Sequence, residues 1–104
     1  MAMAEPYGPY KFVVLTSSGV VTTAGVGGFV KAFGLTVTTN AGTAQLMDGG
    51  TGGTAGPELK LDGATAGNSI SSGDIGPVRF DTDIYANLSG TGAEAWVIFT
   101  EDPA

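Results

Sequence analysis

Cysteine and histidine are both absent from the 104 residues. Without cysteine there are no disulfides, no thiolate zinc sites and no thiol nucleophile. Without histidine the usual general base of a hydrolytic triad is missing too. Basic residues are scarce: Lys11, Lys31, Lys60 and Arg79 stand singly against ten acids, for a formal net charge of −6. A nucleic-acid footprint or an attraction to anionic lipid needs clustered Lys and Arg, so neither partner is expected. The acidity itself reads as solubility. No apolar run reaches bilayer-spanning length, so no membrane partner is expected either. The start, MAMAEPYGPY, has neither the basic nor the apolar region of a signal peptide, which points to a soluble cytoplasmic product.

What is present is glycine, threonine and alanine. From Thr36 to Gly76 the chain reads TVTTNAGTAQLMDGGTGGTAGPELKLDGATAGNSISSGDIG, and 18 of the 104 residues are glycine. Such residues serve turns and strands and make poor helices. The apolar inventory is modest, with Phe12, Phe29, Phe33, Phe80, Phe99 and Trp96 as the large anchors. Burial on that scale predicts assistance from oligomerisation or from a partner surface.

Short β-branched and alternating runs recur at spacings of about ten residues. Residues 1–9, with Pro6, Gly8 and Pro9, predict an extended N-terminal arm, and 10–104 a single β domain. Strands are expected at Tyr10–Thr16, Val20–Thr23, Phe29–Thr39, Thr43–Met47, Glu58–Leu61, Ser69–Ser71, Val78–Phe80, Ile84–Leu88 and Glu94–Thr100. Phe33, Leu35 and Val37 alternate with Gly34, Thr36 and Thr38, as on a half-buried strand. Glu94–Thr100 (EAWVIFT) is apolar on both faces, which suits a central strand with Trp96 packed in the core. Ser89-Gly90-Thr91-Gly92 reads as a hairpin turn before it, and Asp48–Pro57 as a mobile surface loop. No window of helical length repeats apolar residues at three and four. The fold class is therefore all-β: a single antiparallel β-sandwich, jelly-roll-like, of about eight strands.

The motifs that suggest chemistry are thin. Asp81 and Asp83 in FDTDI form the tightest carboxylate pair, which reads as a solvated turn before a glycosidase pair. With Asp74 or Asp48 the pair could offer oxygen ligands to calcium, yet the spacing matches no calcium loop. Gly25–Gly28 and Gly49–Gly53 lack the lysine and hydroxyl of a phosphate loop. Asn87-Leu88-Ser89 matches a glycosylation sequon, read as chance in a chain with no secretion signal. Trp96 with Tyr7, Tyr10 and Tyr85 is a candidate sugar platform. No enzyme activity, no cofactor and no metal is expected. The residues singled out for partner contact are Glu5, Pro6, Tyr7, Pro9 and Tyr10 of the arm, and Val78, Arg79 and Phe80 at a strand edge.

The order of phrases Phe12-Val13-Val14, Leu35-Thr36-Val37-Thr38-Thr39-Asn40, Leu46-Met47-Asp48-Gly49-Gly50, Gly76 to Tyr85 (GPVRFDTDIY) and Ala95 to Thr100 resembles small virion proteins of tailed bacteriophages, of the capsid decoration (cement) or head-fibre type. The resemblance covers most of residues 10–100. It implies a β-sandwich or jelly roll that is made in the host cytoplasm and sits on the capsid surface of the virion. It further implies a homo-oligomer, a trimer by preference, with the major capsid protein as partner and a stabilised phage head as the result. The alternative is a tail or fibre β-module with a carbohydrate-binding role. The resemblance brings no functional residues with it.

Overall fold

The computed structural model describes residues 9–38, 41–50, 59–63 and 69–102. They form nine strands: β1 (Lys11–Leu15), β2 (Gly19–Val20), β3 (Gly28–Val37), β4 (Gly42–Met47), β5 (Leu59–Gly63), β6 (Ser69–Ser71), β7 (Val78–Phe80), β8 (Tyr85–Ser89) and β9 (Ala93–Glu101). No α-helix occurs among the described residues. One sheet runs β1-β9-β3-β6, with β7 also on β3, and the other runs β2-β8-β4-β5. All pairings are antiparallel.

The connectivity follows from one idea. Fold the chain into a long ribbon at the β4–β5 hairpin, and the successive rungs are β4·β5, β3·β6/β7, β2·β8 and β1·β9. Winding that ribbon puts alternate rungs in alternate sheets, and β3·β9 and β4·β8 stitch its turns together. This is a jelly roll, with the place opposite β3 shared by two short strands. The winding corrects one expectation. Residues 90–92 do turn, with the Ala93 amide donating to the Gly90 carbonyl at 3.3 Å, but β8 and β9 lie in different sheets, so the turn is a crossover and not a hairpin.

Between the sheets lies a core graded in size. At one end Val30, Phe33, Leu46, Phe80, Ile84, Val97 and Phe99 interlock. At the other, Leu35 and Val37 meet the small side chains of Ala44, Ala93 and Ala95, with Leu61, Ile70 and Leu88 packed around them. The alternation expected of Phe33, Leu35 and Val37 holds, and all three are buried. Strand β3 gains its ten-residue length through a bulge at Lys31, where the register to β9 slips between Val30 and Ala32. Val30 and Phe33 therefore both face inward, and Phe29 faces out.

Besides Phe29, two more expected core anchors are elsewhere. Phe12 is 63% exposed on β1. Trp96 is half-buried on β9 and excluded from the core, which takes its neighbours Ala95 and Val97 instead. Strand β9 is central in its sheet as its sequence implies, but its second apolar face looks outward.

Candidate functional site: an aromatic outer face

The outer face of the β1-β9-β3 sheet can be built row by row from the register. Phe12 pairs with Ile98, and Ile98 with Ala32. Val14 pairs with Trp96, and Trp96 with Gly34. Alternation points all of these side chains away from the core, because Val13, Leu15, Val97, Phe99, Phe33 and Leu35 point into it. Phe12 and Val14, 63% and 52% exposed, are the most open large apolar side chains among the described residues.

Gly34 is what lets Trp96 lie down. A Cβ at position 34 would fall 2.1 Å from Trp96 Nε1, so the indole rests directly on the glycine backbone of the neighbouring strand. Beside it the Phe12 ring stacks at a centroid distance of 6.2 Å and an interplanar angle of 26°. The pair forms a shallow aromatic shelf, with Ile98 and Val14 filling its margins.

Cations gather at one end of this face. Lys31 Nζ lies 4.9 Å from the Tyr10 ring centroid, and the Arg79 guanidinium 5.2 Å from that of Phe29. Arg79 also grips Asp102 through two hydrogen bonds of 2.6 and 2.8 Å, and Asp81 through one of 3.1 Å. The Arg79 hydrogen bonds hold the Asp102 carboxyl below the usual carboxylate range, against the opposing effect of partial burial. Lys11 approaches Glu101 at 3.6 Å, and Glu101 also accepts the Thr23 amide. Three of the four basic residues, scattered in sequence, thus share one end of one sheet. The opposite end carries Glu94 and a hydroxyl pair, Thr36 and Ser69, at 3.0 Å.

The other sheet presents a different surface. Its outer positions include Thr43, Gln45, Lys60, Asp62, Asn87 and Ser89, and Thr43 and Ser89 share a 2.6 Å hydroxyl contact. Tyr85 lies on this side, away from Trp96, so the platform expected of Trp96 with all three tyrosines does not assemble.

The expected contact residues divide. Glu5, Pro6 and Tyr7 lie outside the described residues. Pro9 is exposed, and Tyr10 is half-buried at the cationic corner of the aromatic face. Val78 and Arg79 are half-buried on β7, which among the described residues pairs only with β3. Phe80 is fully buried in the core, because alternation along β7 turns it inward, and it offers nothing to a partner.

The acids considered for calcium are engaged with the protein itself. The buried Asp48 carboxylate accepts the amides of Asp81, Thr82 and Asp83 at 2.8, 2.7 and 3.3 Å. Asp83 returns the clamp, accepting the amides of Gly49 and Gly50. Asp74 accepts the Gly76 amide and lies 3.9 Å from Lys31, and Asp81 faces Arg79. Among the described residues no three acids converge as a metal site would require, and no pocket opens. The first three residues of the expected Asp48–Pro57 loop are thus tied down; its residues 51–57 lie outside the described residues.

Comparison with known proteins gives no matching family model, no matching curated protein and no matching solved structure.

Proposed function

We propose that this protein is a structural virion component of a tailed bacteriophage, a capsid decoration (cement) protein that docks on the major capsid protein and stabilises the head. The observation that carries the reading is the aromatic outer face: a small jelly roll holds Trp96, Phe12, Ile98 and Val14 on solvent instead of in its core. Apolar aromatic surface that folding leaves outside is surface available to association, and Trp and Tyr are the commonest energetic anchors of interfaces. The resemblance in sequence supplies the partner. On a lattice each contact need contribute only modestly, because many copies act on one shell.

The test is titration of purified capsids that lack the protein. Saturable binding at defined lattice sites is expected, weakened at least tenfold by Trp96→Ala or Phe12→Ala. Absence of binding by the parent chain overturns the reading.

A tail or fibre module with a carbohydrate-binding role is the second reading, favoured by the Phe12–Trp96 shelf, since flat aromatic rings stack on sugar faces. It predicts a glycan-induced change in the fluorescence of Trp96, the single tryptophan.

A further inference from the structure

We infer that β1 is an adhesive edge through which a second copy of this chain joins the sheet, strand to antiparallel strand, about a two-fold axis at Val13. Four strands or strand pairs bound the two sheets: β1, β6 with β7, β2 and β5. Three of these edges are blunted in the ways that discourage pairing. Strand β2 has two residues, and β6 and β7 have three each. Strand β5 sets Lys60 and Asp62 outward along its length. Only β1, KFVVL, is five residues long with no charge beyond its first residue and no proline or bulge. Among the described residues it pairs on one side alone, with β9. The two most exposed large apolar side chains, Phe12 and Val14, stand on this same strand.

The occupant follows from register and charge. A pairing centred on Val13 sets Phe12 of one copy opposite Val14 of the other, twice, so each exposed apolar group covers its counterpart. It sets Lys11 opposite the second copy's Leu15, so that no like charges face each other across the seam. The two lysines stand at opposite ends, and no acid of this acidic chain lies within the paired strands. The two aromatic faces then become one surface on a single continuous sheet.

The contact is small. A five-residue strand is about 17 Å long and a sheet about 10 Å thick. The area buried falls short of the roughly 1,200 Å² of a standard interface, so the pairing is weak and concentration-dependent.

The full chain, studied by sedimentation equilibrium up to about 1 mM, is expected to rise toward twice the monomer mass. Phe12→Lys and Val14→Lys are expected to stay monomeric and still unfold cooperatively, because both side chains are more than half exposed. The native chain has no cysteine, so mixing Phe12→Cys with Val14→Cys chains gives a clean register test. The mixed disulfide is expected to form at least tenfold faster than either same-variant disulfide. A monomer at every concentration overturns the inference, and so does a dimer indifferent to both lysine variants or a disulfide pattern without preference. A monomer that dimerises only after removal of residues 1–8 also overturns it, because the edge then belongs to the chain's own N-terminus. These readouts need no capsid and stand apart from the decoration reading.

Discussion

Asp48 shows how much a single side chain carries in so glycine-rich a chain. Its carboxylate accepts three backbone amides from the segment between β7 and β8, and it is itself buried. Replacement by alanine leaves those donors short of partners, at a cost of about 2–4 kcal/mol. Urea denaturation of Asp48→Ala should show that loss, with Asp48→Asn falling between it and the parent. Gly34 is the other decisive residue. Gly34→Ala drives a methyl into the Trp96 indole and forces the ring off the sheet. A stability loss of about 1–3 kcal/mol is expected, with a red-shifted emission that reports Trp96 alone. Neither effect is visible in sequence. Asp48 reads as a loop acid and Gly34 as a strand glycine until the facing strand is known.

At the scale of elements the bulge in β3 decides what faces where. A period of two carried back from Phe33 would put Lys31 and Phe29 on the core side and Val30 on solvent. The extra residue at Lys31 reverses that, burying Val30 and leaving Phe29 outside under Arg79. Deleting Lys31 removes the extra residue and leaves Val30 inward and Phe29 outward in plain alternation from Phe33. Cooperative unfolding, followed by near-ultraviolet circular dichroism, is therefore expected to survive, with a lowered midpoint from loss of the Ile75 amide's bond to the Lys31 carbonyl. The link from β7 to the end of β9, Arg79 with Asp102, gives a pH signature. Its carboxyl titrates lower in the folded chain than its ordinary value of 3.8, so its stabilising effect is complete above that value. It is lost as pH falls through the lowered folded value. Melting midpoints of the parent and Asp102→Asn should differ at pH 6 and converge as pH drops below 3.8. Strand existence was largely legible: every expected strand has a counterpart, because β-branched and alternating runs between glycine turns have few other uses. Their ends were less so. Val20–Thr23 shrinks to Gly19–Val20, since Thr22 spends its hydroxyl accepting the Ile84 amide.

For the whole molecule, the two outer faces differ in kind, one aromatic with cations at one end, the other mostly polar. That asymmetry is the basis for predicting docking through one sheet only. Under the decoration reading proposed above, surface charge changes on the polar face, such as Lys60→Glu, should leave capsid occupancy unchanged, whereas Trp96→Ala should lower it. Composition by itself determined the all-β class and the small size of the core, because glycine, threonine and alanine disfavour helix and bury little. It also removed every reaction that needs an imidazole or a thiol. It could not say which of the two apolar faces of β9 meets the core. Only the winding of the ribbon decided that, by bringing β4 and β8 over Val97 and Phe99 and leaving Trp96 and Ile98, among the described residues, without a sheet above them. Side-chain alternation is a local property of the strand, but what covers each face is set by strands distant in the chain.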